Sequence, residues 1–313
     1  MPAWRTLARV LFKASRPSQL LLIAGVYALG AKIALAKGAA FSAPALAAGL
    51  AVLLPVAASV HYVNEYADYE TDALTERTPF SGGSGALPES GLPRVVVLRA
   101  AIAALAVGTA LTAAFSATGH LPVRGVALLA VIAVFGWQYS IRPLALVRRG
   151  VGELDNAALG GLALPLYGAA VLGGRLWVVG LASVPFFLLV VLNLFEVHWP
   201  DREADAAVGK RTLAVRWPPE RLRAAYAVVA AAAAVSVIAL SPALPAVLAD
   251  TPLPAPFASA PLPGLVAAAS ALVAPLVVWG WLGYTERHLP WPGVVAMVGL
   301  AALQLLAWCW VAQ

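Results

Sequence analysis

Asn64, Asp68 and Asp72 recur at steps of four in the stretch Asn64-Glu-Tyr-Ala-Asp68-Tyr-Glu-Thr-Asp72. On a helix that spacing stacks one amide and two carboxylates along a single face, with Glu65, Tyr66 and Glu70 pointing elsewhere. Asp201 and Asp205 repeat the step of four in Asp201-Arg-Glu-Ala-Asp205, and the chain then runs into Gly209-Lys210-Arg211-Thr212. Four carboxylates brought together repel one another, so such an arrangement persists only with positive charge among them. Mg²⁺ suits the donors: it wants oxygen ligands and is usually held by a few carboxylates while a substrate phosphate supplies the rest. Arg77, Lys210 and Arg211 would meet the outer oxygens of the same diphosphate, arginine as a fork and lysine as a point charge. One acidic pair at this spacing is ordinarily a solvated helix end. Two sets, each at the end of an apolar run and each followed by basic residues, argue for a site, because acidic residues near a membrane are costly.

The elements that must position these residues are apolar runs. Hydrophobic residues make up 61% of the 313 and charged residues 12%, against roughly half and about 25% in a soluble domain. Spanning the hydrocarbon takes about 20 apolar residues in a helix, and nine candidate runs meet that need: 18–36, 43–63, 95–115, 121–139, 155–173, 177–197, 221–241, 263–283 and 292–311. Most are rich in Ala, Leu, Val and Gly, which lets helices pack closely in lipid. The expected fold is therefore all-α, a multi-span membrane bundle of nine transmembrane helices, with residues 1–313 forming one domain. The motif at the end of the second run matches the motif at the end of the sixth, which reads as an internal repeat. No cleavable signal peptide is evident, since the first run is long enough to span.

The net charge of +6 marks membrane orientation rather than nucleic-acid binding. With the N-terminus in the cytoplasm, every Lys and Arg except Lys32, Lys37, Arg124 and Arg175 falls on the inner side, and so does every acidic residue except Asp250. That asymmetry predicts a multi-pass protein of the cell membrane with its N-terminus cytoplasmic and its C-terminus outside. The long inner connections are then 64–94 and 198–220, and the proline-rich stretch 241–262 is an irregular outer loop. Cys309 is the lone cysteine, so there is no intrachain disulfide and no cysteine metal site.

Asn64-x-x-x-Asp68-x-x-x-Asp72, with Asp201-x-x-x-Asp205 and Gly209-Lys210-Arg211-Thr212-Leu213, resembles the UbiA superfamily of intramembrane prenyltransferases, and the resemblance covers nearly the whole chain. Ser81-Gly-Gly-Ser-Gly85, Tyr139-Ser140-x-Arg142-Pro143-Leu144 and Pro200-Asp201-Arg-Glu-Ala-Asp205 look most like the 1,4-dihydroxy-2-naphthoate prenyltransferases of menaquinone synthesis. The sequence departs from the family where the second motif begins: the family usually places Asn, often Asn-Glu, and this chain has Val197-His198. A metal-facing amide is thereby lost, and Asn193, one turn earlier, is a candidate substitute.

The resemblance implies a polyprenyl diphosphate donor, a small aromatic acceptor such as 1,4-dihydroxy-2-naphthoate or 4-hydroxybenzoate, and a lipid bilayer around the site. It implies that Asn64, Asp68, Asp72, Asp201 and Asp205 hold two Mg²⁺ on the diphosphate, that Arg77, Lys210, Arg211 and Arg142 neutralise the remaining charge, and that Tyr139 caps the donor, although Tyr139 also reads as a membrane-interface anchor. Other acceptors in the family are homogentisate, haem and glycerol phosphate ethers. His198 reads equally as a base or as an interfacial histidine, His61 as packing, His120 and His288 as loop residues, and Glu153 and Asp155 as helix caps. Arg16 is either an acceptor contact or an orientation mark. A secondary transporter is the rival, because repeated halves with acidic residues also occur in carriers. Carriers, however, place their coupling carboxylates near the midplane, whereas both acidic sets here lie at one side.

Overall fold

The structure is a computed structural model that describes residues 3–80, 82–247, 254 and 260–313. An amphipathic helix α1 (Ala3–Ala14) precedes α2 (Pro17–Ala36) and α3 (Ala43–Ala67). After the single turn α4 (Tyr69–Asp72) and the short α5 (Ala86–Ser90) come α6 (Val95–Ala117) and α7 (Val123–Ser140). Next are α8 (Gly152–Ala158), a π-helical turn over Leu159–Ala163, and α9 (Leu164–Val171). The second half holds α10 (Leu176–Ala207), α11 (Leu213–Arg216), α12 (Pro219–Ala239) and the short α13 (Ala243–Val247). It closes with α14 (Gly264–Ala271), α15 (Ala274–Gly283) and α16 (Trp291–Val311).

Local chemistry sets the boundaries. Ser42 caps α3 by accepting the Ala45 N–H at 3.3 Å, and Pro17, Pro219 and Pro292 sit in first turns, where a missing N–H costs nothing. Pro275 lies just after the break between α14 and α15, as expected of a residue that cannot bond back into the preceding turn. Within the bundle α3 packs on α6, α2 on α9, and α10 on α12 and α16.

Among the described residues, eight helices are long and apolar enough to cross a membrane, the pieces 264–286 counted as one. The expected count of nine is not confirmed by these eight. The expected run 155–173 is helical over 152–171 but built of α8, the π turn and α9. It is nevertheless seated in the bundle by backbone contact. A Cβ on Gly30 of α2 would lie 1.9 Å from the Pro165 carbonyl oxygen, and one on Gly168 would lie 2.1 Å from the Tyr27 carbonyl oxygen. Glycine at both places is what allows α2 and α9 to touch.

A second correction concerns the inner connection 198–220. Apolarity ends near Val197, but the helix does not: α10 continues through Asp201 and Asp205 to Ala207. Hydropathy marks where the lipid stops, whereas Arg, Glu and Ala in this stretch favour helix in water as well. The outer stretch 241–262 falls partly outside the described residues. Its ends are joined where the Leu262 N–H donates to the Leu240 carbonyl at 2.8 Å. Large apolar side chains such as Val107, Val131, Leu272 and Leu306 stand on the outside of the bundle, as a lipid-facing surface requires.

The bundle also buries a carboxylate. Glu196 of α10 is 2% exposed and accepts the Tyr226 hydroxyl of α12 and the Gly293 N–H of α16, both at 2.9 Å. These bonds tie three helices together and satisfy a group that would be costly in an apolar interior.

Candidate active site

Asp68 stands at the joint between α3 and α4. Its N–H donates to the Asn64 carbonyl at 2.8 Å, and the Asp72 N–H donates to the Asp68 carbonyl at 2.8 Å. The step of four thus passes through the joint, and the three side chains keep one face. The Asn64 amide donates to Asp68 Oδ2 at 2.9 Å and to Ser140 Oγ, the last residue of α7, at 3.1 Å.

The second motif arrives on α10. Gly209, with φ of +76°, turns the chain back on the helix end, and the Lys210 N–H donates to the Asp205 carbonyl at 2.9 Å. That turn aims the buried Lys210 ammonium between the motifs. Its Nζ lies 3.0 Å from Asp68 Oδ1 and 3.2 Å from Asp205 Oδ1, so one cation joins two acidic turns from opposite halves of the sequence. Burial alone would lower the Lys210 pKa. The charges and hydrogen bonds of Asp68 and Asp205 outweigh it and hold the pKa above the usual lysine value. Asp201 sits one turn before Asp205 on the same helix face.

Asp72 shows that negative charge is in excess. Burial, then Asp68 and Glu65, push its carboxyl up to about 7, against the opposing pull of Arg16 and Lys210. The loop after α4 lies directly on it. Gly83 has φ of +65°, and a Cβ there would stand 2.0 Å from Asp72 Oδ2. A side chain would fill the space over the carboxylate.

The oxygen donors fit a Mg²⁺ shared with a diphosphate better than an ion caged by protein alone. Among the described residues no three acidic or histidine side chains converge closely enough to hold a metal by themselves. Mg²⁺ usually takes one or two carboxylates plus substrate phosphate, and two carboxylate sets facing each other across an ammonium present that donor set.

Not every residue singled out from the sequence comes to this point. Arg77 pairs with Glu89 at 2.6 Å and donates to the Ser84 carbonyl at 2.5 Å, so it braces the loop 77–89. Arg142 and Arg211 are exposed and form no ion pair among the described residues. Tyr139 is partly buried at the end of α7, where its ring lies 3.1 Å from where a Cβ on Gly152 of α8 would stand. His61 Nδ1–H donates to the Ser15 carbonyl at 2.7 Å, a packing role.

Two carboxylates have roles that the sequence reading missed. Glu65, expected to point elsewhere, is buried and holds four donors: Arg16 Nε and Nη2 at 3.1 and 2.7 Å, the Ser84 N–H at 2.8 Å and Ser84 Oγ at 2.7 Å. It fastens the glycine loop to α3 and occupies Arg16, which is thereby not free for an acceptor carboxylate. A lone arginine before Pro17 was the available signal. Glu153, expected to cap its own helix, accepts the Leu213 N–H at 2.5 Å at the start of α11 and lies 3.3 Å from His198 Nδ1. It therefore ties α8 to α10 and to the segment that carries Lys210. Nothing in sequence spacing links 153 to 213.

An all-helical, multi-pass membrane protein with two acidic motifs joined at one end of its bundle is the class that fold and site define. The chain belongs to the UbiA prenyltransferase family, whose profile matches residues 23–274, and it is a prenyltransferase. Three solved structures share the fold. A UbiA homologue from Archaeoglobus fulgidus bound to GPP and Mg²⁺ superposes with a TM-score of 0.63 at 17% identity, over 97% of this chain and 99% of that one. A digeranylgeranylglyceryl phosphate synthase gives 0.63 at 13%, over 98% of each chain. The apo UbiA homologue from Aeropyrum pernix K1 gives 0.61 at 18%, over 91% and 96%. No curated protein matches the chain.

Proposed function

We propose that this chain transfers a prenyl group from a polyprenyl diphosphate to an aromatic quinone precursor, such as 1,4-dihydroxy-2-naphthoate or 4-hydroxybenzoate, with Mg²⁺ as cofactor. The observation that carries the reading is the Lys210 ammonium set between Asp68 and Asp205, which brings the two acidic motifs to one place. The Archaeoglobus fulgidus homologue binds GPP and Mg²⁺, which supports the donor and the metal. The Tyr139-Ser140-x-Arg142-Pro143-Leu144 and Ser81–Gly85 patterns support the aromatic acceptor.

In this reading Asn64, Asp68, Asp72, Asp201 and Asp205 hold the metal ions. Bound there, Mg²⁺ supplies the positive charge that makes diphosphate a competent leaving group. Lys210 neutralises further diphosphate charge from its place between the motifs. Arg142 and Arg211, exposed at the same end, are the free forks for outer phosphate oxygens. Gly83 brings loop backbone over Asp72, and Glu65 with Arg77 keeps that loop in place. The prenyl tail lies among apolar helices, where water that would quench an allylic cation is excluded. The motifs face the cytoplasm, with the N-terminus inside and the C-terminus outside. The uneven Lys and Arg distribution supports this orientation, and labelling of single cysteines at the two termini from each side tests it.

The function is tested by incubating purified protein in detergent with prenyl diphosphates of several lengths, crossed with naphthoate, benzoate and other acceptors. Diphosphate release coupled to prenylation of an aromatic acceptor is expected. Release with only a non-aromatic acceptor overturns the acceptor assignment. No release with any pair overturns the enzymatic reading and favours the transporter.

A further inference from the structure

Helix α1 takes no part in the chemistry above, yet its residues are sorted with care. Val10 and Ala14 are buried against Ala86, Leu87 and Val97. Trp4, Ala8 and Phe12, at steps of four, form a second strip flanked by Leu7. Trp4 is 65% exposed and Phe12 67%. Arg5, Arg9 and Lys13 form a third strip, also at steps of four. Lys13 is held by Glu89 at 2.6 Å, whereas Arg5 and Arg9 stand exposed. An apolar strip and a cationic strip thus run side by side on the open part of one helix.

The position of α1 says what covers these strips. The chain turns at Arg16, with φ of 51°, into Pro17, the first residue of α2. α2 is a candidate span, so α1 ends where headgroups give way to hydrocarbon. It lies on the same side as the acidic motifs, because it packs on α5 within the loop that reaches Asp72.

We propose that α1 is an interfacial anchor that docks on an anionic lipid surface. Trp4, Ala8 and Phe12 enter the boundary between headgroups and acyl chains, and Arg5 and Arg9 meet anionic headgroups. Aromatic and basic strips on adjoining faces are the arrangement such a layer selects, and each basic residue near an anionic surface contributes roughly five-fold to the bound fraction. Through Lys13, Glu89 and Arg77, the docked helix braces the loop 77–89.

The full chain carrying Cys309→Ser and Ala8→Cys, labelled at position 8 with an environment-sensitive fluorophore, is reconstituted in vesicles of phosphatidylcholine with and without phosphatidylglycerol. Ala8 is exposed, so the label disturbs no packing. With phosphatidylglycerol, blue-shifted emission and quenching by shallow lipid-borne nitroxides are expected. Adding Arg5→Gln and Arg9→Gln is expected to lower the docked fraction roughly five-fold for each arginine removed. A label that reports water in both lipids overturns the proposal. So does shielding that ignores phosphatidylglycerol and both arginines, and so does shielding that grows with the protein-to-lipid ratio, which assigns the strip to a second copy or another protein.

Discussion

Lys210 is the residue on which the site turns. It is the cation shared by the half-buried Asp68 and the buried Asp205, so removing its charge leaves the two carboxylates facing each other without compensation. Breaking a buried pair in this way costs about 3–5 kcal/mol. Lys210→Met is therefore expected to unfold at lower temperature than the parent, and Mg²⁺ is expected to raise its melting temperature more than the parent's, because a divalent cation replaces the lost charge. Thermal unfolding in detergent with and without Mg²⁺ checks both. Gly83 is constrained in another way. Its positive φ strains any other residue, and a Cβ there would displace the Asp72 carboxylate. Gly83→Ala is expected to cost about 1–2 kcal/mol of strain and to lower turnover with the bundle intact, which steady-state kinetics beside circular dichroism would read. The side-chain types at this scale were legible in sequence, since Asn64, Asp68, Asp72, Asp201 and Asp205 stand out by spacing alone. Their partners were less so. Lys210 was expected to face a phosphate, and its position between two carboxylates depends on a turn at Gly209 that spacing does not specify. Arg77 was assigned to the diphosphate and Arg16 was left as either an acceptor contact or an orientation mark, and they are bound instead by Glu89 and Glu65 across loops whose pairing is a tertiary fact.

At the scale of elements, hydropathy located eight membrane helices to within a few residues because lipid demands long apolar runs. It misjudged the places where helix and apolarity part company. α10 outlasts its apolar stretch by ten residues, from 198 to 207, and the run 152–171 changes its hydrogen bonding midway at Leu159–Ala163. Glu153 exposes a further blind spot. It joins α8 to the start of α11 and to His198, an arrangement of three elements distant in sequence. This gives an element-level expectation: Glu153→Gln weakens the tie to the Leu213 N–H, loosens residues 208–213 and moves Lys210 off its two carboxylates. The Michaelis constant for the prenyl diphosphate should rise by more than the turnover number falls, and hydrogen exchange should quicken at 208–213 while α10 stays protected. Unchanged exchange there would assign Glu153 a role confined to α8.

The whole molecule brings the two acidic motifs together. Each is the polar end of a long helix, and the bundle places those ends at one mouth, where a single ammonium reaches both. The apolar exterior keeps the bundle in lipid. Bonds such as those from Tyr226 and Gly293 to Glu196 hold the second-half helices in register, so the distance between the motifs is a property of the packed whole. The measurement that tests this most directly is Mg²⁺-dependent release of diphosphate by the parent chain, Asp68→Ala, Asp201→Ala and the double variant, each first shown to be folded and membrane-inserted. Each single change is expected to abolish turnover and the double variant to be no worse than either, since one shared site is lost at the first step. Mg²⁺-dependent turnover surviving in either single variant would contradict a site built jointly from both motifs.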